Sequence, residues 1–580
     1  MQATRRDLLK FAGGAGVGAL LTPAPWRLIT DTALWSENWP GIPRPREGEI
    51  RTRFNHCSLC PAGCGVRARC VGEQPVSLAG VKDHPLSHGV LCPWGVAGHQ
   101  APYHPARLRS GPVEQAAIAV AERAARGARV AVLDPRPGRT ASWTYRRAMA
   151  SLANGLYIAP AVPDFGFDLA SARTVLSLGA PLADGWGTPG NVFAARERFR
   201  FIQADAIETR TASLADLWLQ VRPGSETALA QAVAGEITAA EASRRTDVAE
   251  STVRDLVAEL KANGPSAVIG EGAEVVEANR ALGAFGKTMV ARRETPVPDA
   301  WRKSAAVTAI DDVADRSVDV LVIDGEGVPW SSIAPKLASD AIVVAFVGQA
   351  SRPVPDRPGG LSYFTLPAPV FGEMLDDVPA AVDSPAAVFR LSMPWTATMP
   401  GAPEFVAKIA GLNVENAVRE RADAIHKAKR GTVFTPADAK LTALKEMAAD
   451  DFWKALNAGG CWIDERAGVT TAPLADARGF GGGDGPLAIV AGETAPPGLV
   501  SPLSSKLYRE SNLRQATDVI ALAPATARAC GVAAGAAALL ETGGERLPVL
   551  VAIDAGLPAD VVRVAARDWA TGARGKVVAA

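Results

Sequence analysis

The sequence predicts a multidomain α/β protein: a cysteine-bearing N-terminal domain, a central region of buried parallel sheets and a C-terminal β domain. Three observations carry this. Short continuous apolar runs recur at Val130–Leu133, Val175–Leu178, Phe201–Gln203, Val268–Gly270, Val320–Ile323 and Ile342–Val347, with alanine-rich helical stretches between several of them. Continuous rather than alternating apolarity suits strands covered on both faces of a parallel sheet. Three cysteines crowd into Cys57-Ser-Leu-Cys60-Pro-Ala-Gly-Cys64, and Cys92 follows 28 positions after the last of them. Finally, Gly479 to Gly485 reads as a linker, with short strands and polar turns after it.

Length and charge narrow the function. At roughly 150 residues per domain, 580 residues imply about four domains. The 61 Lys+Arg balance 61 Asp+Glu, which excludes a general polycation for nucleic acid or anionic membrane, because such binding needs a summed positive field. With 48% apolar and 21% charged residues the chain has ample core, so global disorder is excluded. Seven cysteines are too few for a disulfide scaffold in a chain of this length, so their positions matter more than their number.

The N-terminus reads as an address. Thr4-Arg5-Arg6-Asp7-Leu8-Leu9-Lys10 precedes an apolar run from Phe11 to Leu21, then Pro23 and Pro25. These 11 apolar residues are too short to cross a hydrocarbon core of ~30 Å, and Gly13, Gly14, Gly16 and Gly18 weaken any soluble helix. The paired arginines resemble a twin-arginine export signal.

Cys57, Cys60, Cys64 and Cys92 are the strongest chemical signal. Three thiolates on one tight loop and a distant fourth suit a [4Fe–4S] cluster, whose iron corners take sulfur ligands. Tetrahedral zinc and disulfides are the alternatives. Zinc usually takes two matched C-x-x-C halves, and disulfides would join loop neighbours at strained spacing. Cys70, Cys461 and Cys530 lack spacing partners and read as buried thiols. Five of the six histidines (His56, His84, His88, His99 and His104) fall in or near this domain, yet each has a local role as turn or flank, so no second metal site is assigned. Gly185-Trp-Gly187-Thr-Pro-Gly190 matches G-x-G-x-x-G with Asp205 ending the next strand. A structural turn accounts for this spacing as well as a phosphate cradle does.

The stretch HCSLCPAGCG…LCPWGVAGHQ resembles the iron–sulfur domain of the molybdopterin oxidoreductases, the dimethyl sulfoxide reductase family. LSLGAPLADGWGTPGN, LVIDGEGVPW and LPAPVFGEMLDD resemble its central nucleotide-binding regions, and SPLSSKLYRESNLRQATDVIALAPATARACGV its C-terminal barrel. The resemblance implies a twin-arginine signal and tether over 1–45, an iron–sulfur domain over 46–108, a Rossmann-like central α/β region over 109–478 and a double-psi β-barrel-like, dinucleotide-binding-like domain over 486–580. It places Trp94, Gly179, Gly187 and Asp205 along a vestigial pterin cleft.

The sequence also departs from the family pattern. Trp94 stands two positions after Cys92, where catalytic members carry Lys or Arg. The span from Tyr157 to Asp168 is too short for the usual metal-ligand segment, and Asp164 is a ligand candidate by type only. Ile207-Glu208 replaces a basic pair after Asp205. Within the family the chain is most similar to the molybdopterin-oxidoreductase-like subunits of menaquinone reductase and alternative complex III. That similarity implies an electron-transfer and scaffold subunit of a membrane-associated quinone oxidoreductase. It would hold one [4Fe–4S] cluster and no molybdopterin, on the periplasmic side of the cytoplasmic membrane. Its partners would be a ferredoxin-like iron–sulfur subunit, a multihaem cytochrome c and an integral-membrane quinone-binding subunit, with no nucleic acid. The alternative is a short catalytic bis-molybdopterin oxidoreductase acting on a small periplasmic substrate.

Overall fold

All six apolar runs form parallel strands in the computed structural model, divided between two sheets. The structure describes residues 48–464 apart from 104–106, 161, 163, 164, 184, 326–329 and 349–359. Beyond these it describes 485–491, 518–542, 545–564 and 574–580, with 10, 11, 13–15 and 18 near the N-terminus. The paired arginines, Asp164 and all of the glycine linker but Gly485 therefore lie outside the described residues.

The larger parallel sheet has six strands in the order Val307–Thr308, Gly155–Ile158, Val130–Leu133, Val318–Asp324, Leu337–Val347, Ser362–Pro367. Successive side chains of a strand point to opposite faces, and both faces here are apolar. Val130, Val132, Val320 and Val322 join one core with Tyr145 and Phe405 of the covering helices Thr140–Ser151 and Ala402–Ile409. Ala131, Leu133, Leu321 and Ile323 join another. The second sheet repeats the pattern with four parallel strands ordered Ser266–Ile269, Thr174–Leu178, Arg200–Asp205, Leu217–Gln220. Leu176 and Ile202 face one core, Val175 and Phe201 the other.

Three further units frame these layers. An antiparallel meander of Ile50–His56, Gly65–Val71 and Gln74–Gly80 carries the cysteine loop between its first two strands. A five-stranded antiparallel sheet orders Asp376–Asp377, Ala387–Ser392, Cys461–Asp464, Thr432–Thr435 and Lys440–Ala443. It is joined to the meander where Asn55 Nδ2 donates to the Met393 carbonyl at 2.9 Å. The C-terminal residues close a six-stranded barrel around a core that includes Leu522, Leu540, Val549 and Val562. Among the described residues no helix is long and apolar enough to cross a membrane.

Candidate metal centre

The meander turns sharply after His56, which pairs with Gly65, so residues 57–64 form a loop closed by the Cys57 N–H donating to the Cys64 carbonyl at 2.9 Å. Gly63 takes φ +54°, in the left-handed region, and its N–H donates to the Cys60 carbonyl at 3.3 Å. Cys92 arrives from a separate turn as the N-cap of helix Pro93–Ala97, its Sγ accepting from the Gly95 N–H at 3.4 Å. All four thiols are free; Cys57 and Cys64 are buried, Cys60 and Cys92 partly so.

The four groups lie within electrostatic reach of one another. Burial and then the neighbouring Cys60 and Cys64 push the Cys57 thiol well up. Burial and then Cys92 push Cys60 up to about 11, and Cys64 is raised by burial, Cys60 and Cys92. Four free thiols, two buried and two half-buried, that converge in this way are a donor set suited to a group of positive charge. A [4Fe–4S] core would supply that positive charge and bind sulfur at each corner, so the residues fit the group. The surrounding wall is dry. Leu59, Val66, Leu78, Phe371 and Trp395 form it, with half-buried Trp94 packed against them.

The glycine motif borders this loop, and each of its glycines approaches protein. A Cβ on Gly185 would lie 3.6 Å from Cys60 Sγ; one on Gly187 would come within 2.5 Å of Asp383 Cγ, and one on Gly190 within 2.0 Å of the Ser87 carbonyl oxygen. Asp383 sits at the start of helix Pro189–Ala195, where its Oδ2 accepts from the Thr188 N–H at 2.8 Å and from Asn191 Nδ2 at 3.2 Å. The chain's own carboxylate thus accepts the hydrogen bonds offered at this turn.

Gly179, at φ +69°, ends its strand with open space where a Cβ would lie. Asp205 is buried and spends its carboxylate locally, on the Ala206 N–H at 2.9 Å, Thr209 Oγ1 at 3.2 Å and Gln203 Nε2 at 3.3 Å. Ile207, next in line, is buried against Ala521, Ala523, Leu557 and Val561 of the barrel. Glu208 is exposed. The turn after Asp205 is therefore an apolar joint between sheet and barrel. Ile207→Ala should weaken that joint by about 2–5 kcal/mol, and limited proteolysis should then release the barrel sooner. Unchanged cleavage would exclude the joint.

Between the cysteine loop and the carboxyl ends of the six-stranded sheet lies a cleft of about 80 Å³, lined by Ser58 and Leu59 above and by Arg136, Asp324 and Asp376 below. Its floor is a buried ion network that sequence reading missed. Arg139 donates to Asp134 at 3.2 Å, Asp324 at 2.6 Å and Asp376 at 3.0 Å. Ser142 and the Tyr157 hydroxyl also donate to Asp134, at 2.6 and 2.9 Å, and Arg421 pairs with Asp377 at 2.8 Å. Asp134 directly follows a parallel strand and Asp324 ends another, a placement that would have marked both as candidates.

His56, His84 and Cys461 also converge, with ligand atoms all within 4.8 Å. Hydrogen bonding accounts for the two rings. His84 Nδ1 accepts from the Leu86 and Ser87 N–H groups at 3.2 Å, so its Nε2 holds the proton and donates to His56 Nε2 at 3.2 Å. His56 Nδ1 then donates to the Leu391 carbonyl at 3.2 Å. Burial, and then Arg390, hold His56 down to about 3, so both imidazoles are neutral. A metal on His84 Nε2 would force a proton onto Nδ1, against two backbone donors. This is a satisfied polar chain.

Comparison with known proteins agrees with this geometry. Residues 51–104 match the model of the molybdopterin oxidoreductase Fe4S4 domain. The chain is 30% identical over 273 residues to the menaquinone reductase, molybdopterin-binding-like subunit of Nitratidesulfovibrio vulgaris, covering 40% of each protein. It is 24% identical over 235 residues to one of the subunits of the sulfite dehydrogenase of Allochromatium vinosum, covering 33% of this chain and 24% of that one. The matched stretches thus span less than half the length of either curated relative. In fold it is similar to acetylene hydratase from Pelobacter acetylenicus, with a TM-score of 0.57 at 13% identity over 88% of this chain and 92% of that one. Residues 51–104 thus form an Fe4S4 domain of the molybdopterin oxidoreductase type, and the paired parallel sheets and closing barrel give the chain a fold similar to that of acetylene hydratase.

Proposed function

We propose that this chain is an iron–sulfur electron-transfer and scaffold subunit of a membrane-associated quinone oxidoreductase, with one [4Fe–4S] cluster on Cys57, Cys60, Cys64 and Cys92 and no molybdenum. The observation that carries the reading is Asp383 at Gly187: a protein carboxylate takes the hydrogen bonds that a dinucleotide phosphate would need there. Two others support it. Ile207 gives the turn after Asp205 to the barrel. Ion pairs close the floor of the cleft beside the cysteine loop. The cluster would accept and pass on single electrons inside its apolar wall, and the remaining chemistry would belong to partner subunits.

The name of the Nitratidesulfovibrio relative supports the quinone-linked assignment and a multisubunit setting. The proposed partners are a ferredoxin-like subunit, a multihaem cytochrome c and a quinone-binding membrane subunit. Affinity purification of the tagged chain from solubilised membranes tests this. Haem and a membrane subunit should co-purify, and the reduced cluster should exchange electrons with a menaquinone analogue. A chain that purifies alone, with a cluster blind to the quinone, would count against it.

The route to the periplasmic face is part of the same reading. Replacing Arg5 and Arg6 together by Lys should leave the folded protein in the cytoplasm, as cell fractionation would show. Unchanged export of that double variant would exclude the twin-arginine route.

A further inference from the structure

We propose that Arg390 is the buried counter-ion of the iron–sulfur cluster and holds its reduction potential up. The inference rests on the reading of the four cysteines as cluster ligands. Arg390 lies in strand Ala387–Ser392, every residue of which is buried, and is itself 0% exposed. Its guanidinium is pressed against the cysteine loop. Nη2 donates to the carbonyl of Pro61, inside the loop, at 3.2 Å and to that of Pro379 at 3.1 Å, while Nε donates to the Val378 carbonyl at 3.3 Å. A Cβ on Gly63 would sit 2.3 Å from its Cζ, so the loop's glycine is what admits the cation.

What sets Arg390 apart is its missing carboxylate. The other buried arginines each have one: Arg107 pairs with Glu373, Arg139 with three aspartates and Arg421 with Asp377. No carboxylate among the described residues pairs with Arg390, and its Nη1 is buried without a hydrogen-bond partner. An uncompensated buried charge is strongly disfavoured, so the site calls for a counter-charge. Four groups are in electrostatic reach: Cys461, Cys64, Asp383 and Cys60. Asp383 makes no ion pair with Arg390: its Oδ2 accepts from Thr188 and Asn191, and its Oδ1 has no hydrogen-bond partner. Cys60 and Cys64 are the two of the four that would bind the cluster, whose anionic charge would then face the guanidinium.

A [4Fe–4S] core with four thiolates is a net anion, and reduction by one electron adds a further negative charge. A fixed cation beside it therefore stabilises the reduced form more than the oxidised one, which raises the potential.

Anaerobic potentiometric titration of the cluster's electron paramagnetic resonance signal, with iron and sulfide measured on the same full-length samples, tests this. Arg390→Gln should keep its iron and titrate at a more negative potential than wild type. Arg390→Lys, which keeps the charge, should stay near wild type. An unmoved potential in iron-loaded Arg390→Gln, or an equal shift in both variants, would overturn the proposal. If Arg390→Gln does not accumulate, Arg390→Lys decides. A loaded cluster at the wild-type potential supports the charge, whereas loss of the cluster in both variants assigns Arg390 to packing and overturns it. A wild-type chain without iron would overturn the cluster reading itself, a distinct result from loaded variants whose potential does not move.

Discussion

Cys57→Ala is expected to abolish the iron–sulfur centre and to unfold the loop that carries it. Cys57 is buried, opens the loop and holds its closing hydrogen bond to the Cys64 carbonyl. Loss of one thiolate removes a corner of the cluster, which would cross-link the 57–64 loop to the turn at Cys92. Iron should fall from about four per chain to near zero, with a loss of more than about 4 kcal/mol of stability, as when a structural metal is removed. Iron analysis and thermal unfolding check this, with Cys70→Ala as the control that keeps its iron. Equal iron in both variants would remove Cys57 from the ligand set.

The second large effect is expected at Arg139. Three buried carboxylates, Asp134, Asp324 and Asp376, converge on one guanidinium beneath the cleft. Arg139→Met keeps much of the volume and removes the charge, leaving the acids to repel each other in a poorly solvated site. Breaking a buried network by taking one partner should cost about 3–5 kcal/mol, read as a lower midpoint in urea. Adding Asp324→Asn should recover part of it, because one of the stranded charges goes with it. If Arg139→Met unfolds with the wild-type midpoint, the network does not support the sheet edge.

The elements most legible in the sequence were those whose signal is local. Val130–Leu133 and Val320–Ile323 read as buried parallel strands because both of their faces meet helices. The cysteine spacing pointed to its chemistry because three ligands lie on one loop. What stayed hidden depends on contacts distant in sequence. The antiparallel sheet of Ala387–Ser392 and Cys461–Asp464 pairs strands more than 70 residues apart, and short strands of mixed composition carry no period of their own. Arg390 left one trace, a single charge inside the run Ala387-Val-Phe-Arg390-Leu-Ser392, and a charge within an apolar strand demands a partner. The glycines after the Thr174–Leu178 strand were readable as a close approach, yet only the fold shows that Cys60, Asp383 and Ser87 are what approaches. Cys461, without a partner by spacing, is set beside His56 and His84 by strand pairing alone.

The central claim is that this chain kept the family's iron–sulfur centre and gave its pterin cleft over to its own side chains. Metal analysis of the full-length chain, purified from cells grown with ample molybdate and tungstate, tests it most directly. The expected result is about four iron atoms per chain, with molybdenum and tungsten at background and no pterin released on denaturation. About one molybdenum or tungsten per chain, with pterin nucleotide in the extract, would contradict it.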